Sequence, residues 1–200
     1  MRTTPAQAVV IGASAGAFDA LTGILPNLPT SFPIPVIVVV HLPPDKHSLL
    51  SELFRQKCRL PVIEVEDGQP LDPGKIYFAP PDYHLFVEAG STLSLSKDSP
   101  VLYSRPSIDV LFESACDVFG AELIAVILSG ANEDGAAGSA LISAAGGTVI
   151  VQDPDEALVS TMPEATFSRC PDAIVLSLQA IVQYLREVKS THETRIVSPR

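Results

Sequence analysis

Three polar residues stand where apolar runs end. Ser14 follows the run Ala8-Val-Val-Ile-Gly-Ala13, His41 closes Ile34-Pro-Val-Ile-Val-Val-Val-His41, and Asp134 lies just past Leu123–Leu128. A serine hydroxyl is a weak nucleophile until a base takes its proton. An imidazole does that near neutral pH, and a carboxylate fixes the imidazole's tautomer and steadies its charged form. Together the three types can carry acyl transfer. Backbone N–H groups at the start of a helix after Ser14 would stabilise the oxyanion, an effect of about 3–4 kcal/mol for a good donor.

Each residue also has a plainer reading. Ser14 could cap a helix, or Gly12–Gly16 could form a phosphate-binding turn. The spacing Gly12-x-Ser14-x-Gly16 fits a nucleophile elbow. It departs from G-x-G-x-x-G, because Ser14 stands at the second glycine, and no P-loop lysine follows. His41 could be a strand-end histidine with a satisfied hydrogen bond. Asp134 could cap the helix after it, a duty Glu133 could share.

The elements around these residues decide how they meet. Val9–Ile11 reads as a buried central strand, apolar without alternation, and Gly16–Leu25 as a helix ending near Pro26. The β-branched run 34–41 is the second strand, stopped by Leu42-Pro43-Pro44. Strand, helix, strand in this span is a βαβ unit with parallel strands and a right-handed crossover. Asp45 or Ser48 would cap a helix reaching Cys58. Between 62 and 97, the short runs Val62–Val65, Lys75–Ala79, His84–Glu88 and Thr92–Ser96 are separated by turn residues, and predict antiparallel hairpins on one side of the sheet.

Further on, Pro106 or Ser107 opens a helix with Val110, Leu111, Phe112, Ala115, Val118 and Phe119 on its apolar face. Leu123–Leu128 is a strand, 136–145 a small-residue helix closed by Gly146-Gly147, and Thr148–Val151 a strand. Residues 154–168 read as a loop with short helices broken at Met162-Pro163. Ala173–Leu176 and Leu178–Val188 are the last strand and helix. The fold class is therefore α/β: a doubly wound, mostly parallel, Rossmann-like sheet with an antiparallel hairpin addition around 62–97. In such a sheet Ser14, His41 and Asp134 all fall at carboxyl ends, where ligands bind. An ordinary α/β-hydrolase is excluded, since its order is serine, acid, histidine, with strands before the elbow.

The expected organisation is one domain over 1–188 and a polar tail or linker over 189–200. The chain is 200 residues long, 46% hydrophobic and 18% charged, with a formal charge of −10. That composition suits one sizeable core and disfavours sequence-independent binding to nucleic acid or anionic membrane. Cys58, Cys116 and Cys170 lack CxxC spacing and read as reduced core thiols of a cytoplasmic protein. The four histidines form no ligand motif, so no metal is expected, and neither a signal peptide nor a membrane span is read.

A longer set of residues resembles the catalytic domain of the chemotaxis receptor methylesterases, the CheB family. It comprises Ile11-Gly-Ala-Ser-Ala-Gly16, Val40-His-Leu-Pro-Pro44, Glu66-Asp-Gly68, Ile76-Tyr-Phe-Ala-Pro80 with Asp82-Tyr-His84, Arg105-Pro-Ser-Ile-Asp-Val-Leu-Phe112, Ile127-Leu-Ser-Gly130 with Asp134-Gly-Ala-Ala-Gly138, and Met162-Pro163. The resemblance implies catalytic roles for Ser14, His41 and Asp134, with oxyanion donors from the backbone N–H groups of Ala15 and Ala131. It implies hydrolysis of γ-glutamyl methyl esters on a methylated cytoplasmic receptor domain, with deamidation of glutamine in related members and no cofactor. A cognate methyltransferase or a fused signalling module would be further partners. Other readings on the same fold are a hydrolase of a different ester or amide and a non-catalytic signalling scaffold.

This chain departs from the family pattern in three places. Ala15, Gly16 and Ala17 replace the usual threonine and glycine pair, and Gly130-Ala-Asn-Glu-Asp134 replaces Gly-Met-Gly-Asn-Asp. Residues 1–7 stand where the family usually carries a receiver domain. The domain is accordingly expected to stand alone, to serve another sensory system, or to be fused to a module beyond residue 189.

Overall fold

The computed structural model describes residues 5–41 and 49–191. Its strands are β1 (Ala8–Ala13), β2 (Val36–Val40), β3 (Val62–Glu64), β4 (Gln69–Pro70), β5 (Ile76–Phe78), β6 (His84–Glu88), β7 (Thr92–Ser96), β8 (Leu123–Ile127), β9 (Thr148–Gln152) and β10 (Ile174–Leu176). The α-helices are α1 (Ala17–Ile24), α2 (Leu49–Lys57), α3 (Ile108–Phe119), α4 (Ala136–Ala144), α5 (Thr161–Arg169) and α6 (Leu178–Arg186). Leu42–Pro44 and the two expected caps of α2, Asp45 and Ser48, lie outside the described residues.

Seven strands form one parallel sheet in the order β10-β9-β8-β1-β2-β5-β3. The chain leaves β1 toward β2 and later leaves β8 toward β9, the opposite way. The strand order therefore reverses between β1 and β8, and in open α/β sheets the carboxyl ends at such a switch are where ligands bind. Both central strands are buried along their whole length, which explains their apolar, non-alternating sequences.

Two cores flank the sheet. Val9, Ile11 and Ala13 join Leu21, Phe54 and Ile181 on the side of α1, α2 and α6. Ala8, Val10, Ile37 and Val39 join Ile108, Phe112, Ile142 and Met162 on the side of α3, α4 and α5. The three-stranded antiparallel sheet β4-β7-β6 lies against α3, where the Val87 N–H donates to Ser114 Oγ at 3.1 Å.

The 62–97 region corrects one expectation. His84–Glu88 and Thr92–Ser96 do form an antiparallel hairpin. Val62–Val65 and Lys75–Ala79 do not. Their cores, β3 and β5, pair in parallel with each other and extend the main sheet beyond β2. The intervening 65–75 segment, with β4 on the small sheet, returns the chain to the amino edge, so turn residues here mark a crossover and not a hairpin.

Two helix boundaries also differ. Thr161–Arg169 is one continuous helix, because Pro163 sits in its first turn, where a missing N–H breaks no bond. The first helix runs on past Ile24 into a 3₁₀ turn, Leu25–Asn27, which contains Pro26. At the amino edge Ala6 bridges Ser190, with the Ala6 N–H donating to Lys189 O at 3.0 Å and the Thr191 N–H to Ala6 O at 3.2 Å.

Candidate active site

Strand register brings Ser14 beside His41. The β1–β2 pairing runs from Val9↔Val36 to Ala13↔Val40, and the His41 N–H continues it by donating to Ala13 O at 3.1 Å. The next rung holds Ser14 and His41, on strands about 4.8 Å apart. Alternation sends Ile37 and Val39 into the α3-side core, so His41 follows onto the same face. On its other flank Ser14 donates its N–H to Ser129 O at 2.9 Å. Ser14 and His41 are half-buried and reachable from solvent. No hydrogen bond joins their side chains among the described residues.

His41 and Asp134 are in direct contact, with His41 Nε2 2.8 Å from Asp134 Oδ2. Because Nε2 donates to a carboxylate, Nδ1 holds the free lone pair of the neutral ring. Ser104 Oγ lies 3.4 Å from Nδ1.

Asp134 is fully buried at the amino end of α3. Its Oδ2 accepts the Ile108 N–H at 2.7 Å, and its Oδ1 accepts the Asp109 N–H at 3.0 Å and the Ser107 hydroxyl at 2.9 Å. These are N–H groups that a helix leaves unpaired in its first turn, and the helix dipole favours an anion there. Burial pushes the Asp134 carboxyl up. The hydrogen bonds from His41, Asp109 and Ile108 outweigh it and hold the group below its ordinary value. Asp134 thus stays ionised while it orients His41.

Local sequence explains the cradle. Ser107 is the N-cap of α3, extended at φ −101° and ψ 140°, and its Oγ accepts the Val110 N–H at 3.5 Å. Apolar residues at 108, 111, 112, 115 and 119 then bury one helical face. Gly12 lets that face come close: a Cβ there would stand 2.4 Å from Ile108 Cγ2. The first turn of α3 therefore rests directly on β1, two residues before Ser14. His84 supports the cap from behind, since its Nδ1 accepts the Ser107 N–H at 3.2 Å and its Nε2 donates to Ser99 O at 3.1 Å.

The elbow itself is clamped by Ser129. Its Oγ donates to Ala15 O at 2.6 Å and accepts the Val159 N–H at 2.9 Å, while its own N–H donates to Gln152 Oε1 at 2.9 Å. Gly16 takes the left-handed φ of +83° that the strand-to-helix turn needs, and a Cβ there would press on Leu158 and Ser129. Among the described residues no acceptor is found for the N–H groups of Ala15 and Ala131.

Asp109, the second residue of α3, is buried beside Asp134 and accepts the Gly138 N–H at 2.7 Å. Burial, with the nearby charges of Asp134 and Glu113 adding to it, pushes its carboxyl up to about 6. Among the described residues no group of three His, Cys, Asp or Glu side chains could hold a metal ion, and no helix is long and apolar enough to cross a membrane.

Sequence reasoning assigns no roles to Ser104, Ser129 or Gln152, and none in the site to Ser107 or Asp109. Ser107 is legible as a helix cap, yet its partnership with Asp134 spans 27 residues. Ser129 and Gln152 carry only the weak signal of polar residues at the ends of buried strands.

Comparison with known proteins finds relatives over most of the chain. A family model described as CheB methylesterase matches residues 9–185. A Leptospira interrogans relative, named as a candidate protein-glutamate methylesterase/protein-glutamine glutaminase, is 42% identical over 177 residues, covering 88% of this chain and 92% of the relative. The protein-glutamate methylesterase/protein-glutamine glutaminase of Thermotoga maritima is 36% identical over 183 residues, covering 90% of this chain and 53% of the relative. The chain thus spans about half the length of the Thermotoga protein. The crystal structure of the Thermotoga maritima CheB methylesterase catalytic domain superposes with a TM-score of 0.87 at 35% identity, covering 92% of this chain and 99% of that one.

Proposed function

The chain belongs to the CheB methylesterase family, and from that premise we propose that it is a serine esterase acting on γ-glutamyl methyl esters of a chemoreceptor-type protein, with Ser14, His41 and Asp134 as its catalytic residues. The observation that carries this reading is the 2.8 Å contact between His41 Nε2 and a buried, helix-cradled Asp134, with His41 on the same rung as Ser14.

Ser14 Oγ attacks the ester carbonyl as its proton passes to His41 Nδ1, the nitrogen that Asp134 leaves free. The carbonyl oxygen becomes an oxyanion facing the Ala15 and Ala131 N–H groups. Collapse breaks the bond to methoxide, which leaves as methanol with the proton from Nδ1. A water molecule then attacks the acyl-enzyme as His41 takes one of its protons, and collapse returns that proton to Ser14 and releases the glutamic acid, which gives its remaining proton to solvent and leaves as the carboxylate. Glutamine follows the same route with ammonia as leaving group, consistent with the paired activities in the relatives' names. No step requires a metal or organic cofactor.

The test is methanol release from a methylated receptor cytoplasmic fragment, with labelling by a fluorophosphonate as a second readout. Wild type should release methanol and be labelled, and Ser14→Ala should do neither. Equal labelling of Ser14→Ala removes Ser14 from the nucleophile's place. Labelling without methanol release points to another ester or amide as substrate.

A further inference from the structure

Two exposed apolar features bracket the Ser14–His41 rung. The first is the turn Val101–Ser104, closed by the Val101 N–H to Ser104 O at 3.1 Å and the Ser104 N–H to Val101 O at 2.8 Å. Both central residues are left-handed, Leu102 at φ 47° and Tyr103 at φ 62°. A tight turn of this kind favours Asn and Gly, and bulky side chains enter it only at a cost. The cost gains no core packing, because Tyr103 is 102% exposed and Leu102 42% exposed. The second feature is Leu158, 72% exposed, whose Cβ lies over the elbow, 2.9 Å from where a Gly16 Cβ would stand.

The turn is followed by an anchored residue and lies close to the base. Arg105 donates to Asp82 at 3.1 and 2.5 Å and to the carbonyls of Lys97 and Asp98 at 3.0 and 2.9 Å, fixing the loop beneath it. Ser104 Oγ sits 3.4 Å from His41 Nδ1. A strained turn that presents two apolar side chains to water beside a reactive nitrogen is organised for a partner. A small methyl ester needs only the Ser14–His41 rung, whereas a polypeptide carrying the ester on a glutamate also brings flanking residues against the surface beside it, where Ser104 of the turn meets His41.

We propose that Leu102 and Tyr103, with Leu158 opposite, dock the apolar residues that flank the methyl-esterified glutamate of the protein substrate. This rests on the esterase reading of the same site and names how that site selects a protein over a small ester. Docking on the turn also brings the substrate against Ser104, whose Oγ lies 3.4 Å from His41 Nδ1.

The decisive variant pairs Leu102→Asn with Tyr103→Gly, which removes both apolar side chains while supplying the dipeptide the turn prefers. Tyr103→Ala is the single-residue companion. Methanol release from a methylated receptor fragment is measured beside hydrolysis of p-nitrophenyl acetate, with thermal melting as the check on folding. The ratio of receptor to small-ester kcat/KM should fall at least about tenfold, the scale expected when one large apolar side chain is no longer buried against the substrate. The double variant should melt no lower than wild type. An unchanged ratio overturns the docking surface, as does a parallel loss of both activities. Wild type that releases no methanol from the receptor overturns the receptor-methylesterase reading and this proposal with it. An active wild type matched by its variants overturns the docking surface alone.

Discussion

Asp134 is joined to Ile108 by a 2.7 Å hydrogen bond from a backbone N–H in the first turn of α3 to a buried carboxylate oxygen. The acid that orients His41 is thus itself oriented by a helix terminus. Its Oδ1 faces the Asp109 N–H and its Oδ2 faces both the Ile108 N–H and His41. In Asp134→Asn the amide NH₂ must face one of those backbone donors, whichever way it turns. The variant should lose about 10³–10⁴-fold in kcat, the scale seen when a triad histidine loses its orienting acid. It should also melt below wild type, since donors are left opposed in a buried site.

Ser107→Ala removes a helix cap and one of the donors to Asp134 together. Stability should fall by about 1 kcal/mol, as for other N-caps, read from the denaturant midpoint. Asp134 keeps its two backbone N–H bonds, so kcat should fall about tenfold with KM unchanged. A change confined to KM would mean that Ser107 acts on substrate and not through Asp134.

Gly12→Ala drives a methyl group into Ile108. Overpacking of this kind costs about 1–3 kcal/mol, and here it lifts the first turn of α3 away from β1, taking the Asp134 cradle with it. Slower fluorophosphonate labelling should accompany the loss of stability. Adding Ile108→Ala removes the clashing carbons. In a double-mutant cycle the pair should be less destabilised than the sum of the single changes.

The pH dependence of stability should carry two opposite contributions. Asp109 has a folded pKa of about 6, raised chiefly by burial. Its contribution to stability is fully present below the ordinary carboxylate range and is lost as pH rises through about 6. Asp134 is held below its ordinary value, so its contribution is present above that range and lost as pH falls beneath it. Asp109→Asn should therefore flatten the fall in stability between about pH 4 and 6. Urea midpoints measured across that range, against wild type, check it.

Much of the fold is legible in the sequence because its signals are local. Val9–Ile11 and the 34–41 run are apolar without alternation, as strands buried on both faces must be, and both lie at the sheet centre. Ser107 is readable as a cap for the same reason. The 62–79 segment misleads because turn residues report a change of direction but not the partner of the next strand. Met162-Pro163 misleads because a proline within a helix's first turn looks, in sequence, like one that ends it.

For the candidate site, the sequence by itself determined which chemical types stand at strand ends: a hydroxyl at 14, an imidazole at 41, a carboxylate at 134. Tertiary structure alone decided that His41 reaches Asp134 through Nε2, that Ser129 clamps the elbow, and that α3 offers its first N–H groups to the acid. The physical reason is that these last donors belong to the backbone, which every residue carries and no sequence pattern marks. Their position depends on how closely one helix end settles on one strand, and at Gly12 that distance is set by a side chain that is missing.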